Sequence, residues 1–204
     1  IVDEVMTGFG RTGARFGSEH FAIKADIMFA GKGLSGGYAP LAGIYTTDEV
    51  VAPLAARGDS LMFYTYGGHP GACAAADKVL EIIEREALVE RAAAQGTKLE
   101  ALLQERLGQH PHVAEVRGRG LLWGIELVAD RDTLEHFPRD AGITNAVVAH
   151  GLREGAFFYP GGTGEVRDII CLGPAFTVSD DELEMMADRL LSAIDAATAH
   201  KAAA

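Results

Sequence analysis

Apolar residues follow two rhythms along this chain, and the change from one to the other organises it. Ile1-Val2-Asp3-Glu4 reads as the last turns of a buried strand rather than as a chain terminus, which points to a segment upstream of this sequence. A glycine-rich loop follows, Gly8 to Gly17, and then Ile27-Met28-Phe29-Ala30, a short apolar run suited to a buried strand. Leu41 to Tyr45 reads as a third strand. Thr46 and Glu49 have capping-box spacing, which opens a short helix that Gly58 ends. Strand, helix and loop alternate here as in an α/β domain.

From Pro70 the spacing becomes helical. Ala72, Ala76, Val79, Leu80 and Ile83 form one apolar stripe, and Val89, Ala92, Gly96, Leu99 and Leu103 continue it to about Gly108. His110-Pro111 breaks the pattern and marks the expected boundary between a first domain, residues 1–108, and a second, 109–204. Val113 to Val116 and Leu121 to Val128 read as neighbouring strands of a small antiparallel sheet, joined through Gly118 and Gly120. Asn145 to Glu154 reads as a helix on that sheet and Ile169 to Leu172 as a further strand. Ser179 with Glu182 caps a last amphipathic helix whose apolar face is Leu183, Met186, Leu190 and Ile194. Beyond it the tail from Ala196 is alanine-rich.

Composition narrows the partners. The 204 residues carry 18 basic and 29 acidic side chains, a net charge of -11, which disfavours nucleic acid and anionic membrane surfaces. No apolar run approaches the roughly 20 residues of a bilayer-spanning helix and no secretory signal opens the chain, so a cytoplasmic location is expected. Cys73 and Cys171 lack metal or redox spacing and read as reduced core thiols. No metal site enters this reading.

Three glycine-rich features bear on chemistry. Gly8-Phe9-Gly10-Arg11-Thr12-Gly13 matches a dinucleotide-binding pattern, but Ala14 to Lys24 lacks the helical stripe that should follow, so a tight loop after a strand is the better reading. Gly31-Lys32 lacks both the earlier glycine and the following Ser or Thr of a phosphate loop. Lys32 itself stands at the end of an apolar strand among Gly31, Gly33, Gly36 and Gly37, a setting that strips water from an amine and favours the neutral form needed for imine formation. Asp3, at the end of a neighbouring strand, is suited to a cation such as a protonated pyridine nitrogen. Spacing alone leaves these roles level with an ion-paired aspartate and an ordinary loop lysine.

Longer stretches carry a resemblance. Asp3-Glu4-Val5-Met6-Thr7-Gly8-Phe9-Gly10-Arg11-Thr12-Gly13, Glu19-His20 and Ala30-Gly31-Lys32-Gly33-Leu34-Ser35-Gly36-Gly37-Tyr38-Ala39-Pro40-Leu41 resemble the central signature of the class III aminotransferases. Tyr64 to Pro70, Arg117-Gly118-Arg119-Gly120-Leu121 and Gly124-Ile125-Glu126-Leu127 resemble later segments of that family, so the likeness covers nearly the whole chain. It implies an aspartate-aminotransferase-like α/β architecture of the pyridoxal-phosphate fold type I. Residues 1–108 would be part of a large cofactor-binding domain with a mainly parallel sheet, and the rest a small α+β domain.

The resemblance also implies roles. Lys32 would carry pyridoxal 5'-phosphate as an internal aldimine, Asp3 would pair with the ring nitrogen, and Val5 would pack on one ring face. Thr65 would bind the cofactor phosphate of the partner subunit in a homodimer with a shared active site, where its hydroxyl and backbone N–H can both donate. The implied reaction is transamination between a small-molecule amine donor and a keto acid acceptor. An aminomutase or decarboxylase of the same family is the rival chemistry, and a catalytically incomplete fragment the rival outside it. Met6 stands where many members place Gln, and Tyr159 where several place an arginine for a substrate carboxylate. Arg167 is the nearest substitute, and reads better as a solvated surface arginine. His69 is explained equally by helix-start packing and by ligand contact.

Overall fold

The computed structural model describes residues 1–58 and 64–199. The alanine-rich tail beyond Ala199 lies outside them. The chain forms two compact units, Ile1–Ala92 and Ala93–Ala204.

The first unit holds a three-stranded sheet in the order β1 (Val2–Asp3), β2 (Ile27–Ala30), β3 (Gly43–Thr46). β1 and β2 are parallel, with Asp3 opposite Phe29, whereas β2 and β3 are antiparallel, with Phe29 opposite Ile44. The sheet is therefore mixed, and not mainly parallel as expected. The cause lies in the connections. Parallel neighbours need a long crossover, which Glu4 to Asp26 supplies. The return from Ala30 to Gly43 contains no α-helix and turns at Gly36 and Gly37, whose φ values of +57° and +81° lie where side chains are disfavoured. β1 is also less buried than the sequence suggests: Val2 is half-buried and Asp3 exposed.

Helix α1 spans Asp48–Arg57, capped by Thr47 rather than Thr46, and Gly58 ends it at φ +68°. Helix α2, Pro70–Arg85, starts with proline at its first turn and buries Ala72 and Ala76 against its own unit. Cys73, one position away, points outward and is exposed, so only Cys171 of the two thiols is even partly covered. Ala87, at φ +49°, separates α2 from α3 (Leu88–Leu107), so the helical stretch read as continuous is two helices.

The division into units falls inside α3, ahead of His110-Pro111. Past Ala92, α3 presents Leu99, Leu103 and Leu107, all fully buried, and Gly96 so close to Gly120 that an added Cβ would meet its Cα at 2.4 Å. The second unit's sheet runs β4 (Val113–Arg119), β5 (Leu122–Leu127), β7 (Val166–Leu172), β6 (Tyr159–Thr163), antiparallel throughout. Trp123, Ile125 and Leu127 alternate inward along β5, as a half-buried strand requires. On the other face Arg117 bonds Glu126 across the β4–β5 pair at 2.5 Å. Helix α4 (Ile143–Arg153) packs on β6, β7 and α5 (Asp180–Ala199). The capping box of α5 forms as expected: Glu182 N–H donates to Ser179 Oγ at 3.3 Å and Ser179 N–H to Glu182 Oε2 at 2.8 Å.

Candidate active site

The first unit brings its chemically distinctive groups to the carboxyl end of the β1–β2 pair, where open α/β sheets bind ligands. Parallel pairing sets Asp3 beside Phe29, and three residues on the chain reaches Lys32. There the backbone turns sharply. Lys32 adopts φ +40°, a conformation that L-residues with side chains avoid. Backbone strain of this kind persists where surrounding contacts enforce it and gathers at functional sites. The amine folds back over the segment leaving β1: Lys32 Nζ lies 2.6 Å from Met6 Sδ.

Lys32 is exposed, as are Asp3 and Met6. This corrects the expectation of a water-stripped amine. Only Ala30 of β2 is buried, so the strand leads to an open edge rather than into a core. Asp3 Oδ1 accepts the Val5 N–H at 2.9 Å, and its other oxygen carries no bond among the described residues. The Val5 side chain stands beside Gly31, where an added Cβ would meet Val5 Cγ1 at 3.7 Å.

Behind these exposed groups sits a buried carboxylate that motif reading did not single out. Glu4 is 1% exposed. Its Oε2 accepts the Thr7 hydroxyl at 2.5 Å and the Gly17 N–H at 2.9 Å, and its Oε1 accepts the Ser18 N–H at 2.8 Å. Burial pushes the Glu4 carboxyl up, but the donors from Thr7, Ser18 and Gly17 outweigh it and hold the group below its ordinary value. Nothing in local spacing announces this role, because two of the donors lie far along the chain. No α-helix opens in this loop: Gly17–Phe21 is a 3-10 turn, as the tight-loop reading of the glycines requires.

The remaining sequence candidates lie elsewhere. Thr65 is exposed in a turn closed by Gly67 N–H to Tyr64 O at 2.9 Å, just before α2. His69 caps α2, its Nδ1 accepting the Ala72 N–H at 3.2 Å, which accounts for the residue by helix-start geometry. In the second unit Tyr159 is 62% exposed. Arg167 is not a solvated arginine: it donates to Phe137 O at 2.7 Å and pairs with Asp168 at 3.2 Å. Both partners come from its own unit, which ties the guanidinium to local structure.

A lysine amine and an aspartate thus stand at the paired ends of parallel strands, followed by a glycine-rich return. Residues 1–194 match the family Aminotransferase class-III, and the chain belongs to that family. It is 38% identical over 188 residues to the uncharacterized aminotransferase YodT of Bacillus subtilis, covering 90% of this chain and 42% of that protein. Among solved structures, a Bacillus anthracis aminotransferase superposes with TM-score 0.88 at 37% identity, over 95% of this chain and 44% of the other. The omega transaminase of Pseudomonas jessenii in complex with PMP gives 0.87 at 34% identity, over 98% and 44%. The chain thus spans less than half the length of these relatives. Among the described residues no helix is long and apolar enough to cross a membrane.

Proposed function

We propose that the protein to which these residues belong transfers an amino group from an amine or amino acid donor to a keto acid acceptor, with pyridoxal 5'-phosphate carried on Lys32. The observation that carries this reading is the strained Lys32 turn at the end of β2, beside the end of β1 that bears Asp3. The donor set fits the cofactor: a primary amine, a carboxylate with one oxygen open, and the Val5 side chain beside Gly31. The PMP bound by the Pseudomonas jessenii enzyme belongs to the same chemistry.

Bound there, pyridoxal phosphate supplies an aldehyde for imine chemistry and a ring that draws electrons from the substrate carbon. The protein's own groups do the rest. Asp3 is oriented by the Val5 N–H so that its second oxygen can hold a proton on a ring nitrogen. Lys32 Nζ would hold the cofactor at its aldehyde carbon, and as a free amine it would serve as the general base for a proton at the substrate carbon. Val5 offers an apolar wall to one ring face. Thr65, through its hydroxyl and backbone N–H, holds the phosphate bound in the partner subunit of a homodimer.

Borohydride reduction in the presence of pyridoxal phosphate, followed by peptide mapping, tests this directly. The label is expected on Lys32 and absent from Lys32→Ala. A label confined to Lys24, Lys78 or Lys98 would sink the assignment.

A further inference from the structure

Glu4 lies between two residues of the proposed site and touches neither the exposed amine nor the open carboxylate oxygen. Its backbone continues the β1–β2 pairing, with Glu4 N–H donating to Phe29 O at 2.9 Å, and its carbonyl accepts the Gly8 N–H at 3.0 Å. Its carboxylate reaches across the loop to Thr7, Gly17 and Ser18. The loop is closed so tightly around this group that a Cβ on Gly8 would meet Glu4 O at 2.7 Å, and one on Gly17 would meet Thr7 Cβ at 2.8 Å. The far side of the same loop backs the lysine turn: an added Cβ on Gly33 would meet Phe9 Cβ at 3.3 Å and Gly8 O at 3.4 Å. One carboxylate therefore ties the strand that bears Asp3, the segment that bears Met6 and the loop wall behind Lys32-Gly33 into a single body.

We infer that Glu4 is a positioning residue for Lys32: its buried carboxylate fastens the loop from Glu4 to Ser18, and that loop sets where the Lys32 amine stands relative to Asp3. A carboxylate suits the task because it is acceptor-only, and three donors converge on it. Glutamine would turn an amide N–H toward one of them and break the set. The inference rests on Lys32 being the cofactor lysine.

The experiment uses pyridoxal phosphate itself as probe. The intact chain, Glu4→Gln and Thr7→Val are each treated with pyridoxal phosphate and borohydride below their melting temperatures. The label on Lys32 is divided by that on Lys78, a surface lysine of α2. Hydrogen exchange at the Gly17 and Ser18 amides is followed alongside. If Glu4 positions the amine, exchange at both amides accelerates in Glu4→Gln and the Lys32 to Lys78 ratio falls about tenfold, with a smaller fall in Thr7→Val. A residue that merely supports the fold would change the melting temperature and leave that ratio alone. An unchanged ratio in Glu4→Gln despite loosened amides overturns the inference while leaving the role of Lys32 intact. If Glu4→Gln does not fold, Thr7→Val decides by the same ratio. Wild-type label away from Lys32 overturns the cofactor assignment instead, so the two failures are distinct.

Discussion

Lys32 holds a left-handed backbone that glycine would adopt freely, so the residue that does the proposed chemistry is also one the fold holds at a cost. Lys32→Gly is expected to be more stable than Lys32→Ala by about 0.5–1 kcal/mol in urea unfolding, since both lose the amine and only alanine keeps the strain. Equal stability would mean that the turn is not strained in solution. Asp3 carries charge without contributing to a core, and Asp3→Asn should lower transamination by about 100-fold while leaving the melting curve almost unmoved. A near-normal rate would assign the ring proton to another group. Glu4 behaves in the opposite way, being buried and bonded. Glu4→Gln is expected to cost about 1–3 kcal/mol at pH 7, because donors lose their acceptor. The folded carboxyl releases its proton at lower pH than the unfolded one. Its stabilisation is therefore complete above roughly pH 5 and drains away as pH falls through the folded value, and the gap between wild type and Glu4→Gln should close there. Glycines and strand ends draw notice to Asp3 and Lys32, but their proposed roles come from the family resemblance, since spacing alone leaves them level with an ion pair and a loop lysine. Glu4 is not legible in the sequence, because its donors at Gly17 and Ser18 become neighbours only after the loop closes.

Elements were legible in proportion to how local their causes are. The α5 cap depends on Ser179 and Glu182, three residues apart, and it formed as read. The strand β6 escaped notice because Tyr159-Pro160-Gly161-Gly162 carries loop composition, and it exists only because β7 offers a partner, Pro160 opposite Ile170. The cap of α1 shifted to Thr47, whose side chain makes no capping bond, so the Thr46 and Glu49 spacing was not decisive. Gly96 shows packing overriding propensity within one helix. Alanine there should add about 1 kcal/mol of helix preference. Its Cβ, however, would lie 2.4 Å from Gly120 Cα and 2.5 Å from Gly120 O, backbone atoms that cannot swing aside. Overpacking of this kind costs about 1–3 kcal/mol, so Gly96→Ala should be destabilised on balance. A gain in stability measured by thermal unfolding would show that α3 can lift from the β4–β5 turn without penalty.

At the scale of the whole molecule the proposed site draws on two stretches of the first unit that lie far apart in sequence. Asp3, Val5 and Lys32 gather at one sheet end, whereas Thr65 stands in an exposed turn before α2. An exposed threonine in a turn is an inexpensive phosphate ligand, since its hydroxyl and backbone N–H can both donate. If that phosphate belongs to a neighbouring subunit, Thr65→Ala should weaken pyridoxal phosphate binding by about 1–3 kcal/mol without altering where Lys32 is labelled. The crossing can be tested by mixing Lys32→Ala with Thr65→Ala, each inactive or impaired alone. In a mixed dimer, one site draws its lysine from the Thr65→Ala chain and its threonine from the Lys32→Ala chain, so that site has both groups and cofactor affinity returns to it. Tight binding at about half the sites of the mixed species is the expected result, measured by cofactor absorbance after isolating mixed dimers through two affinity tags. Mixed dimers that bind no better than the Thr65→Ala parent would place both groups on one chain, and the shared-site reading of this family member would then be wrong.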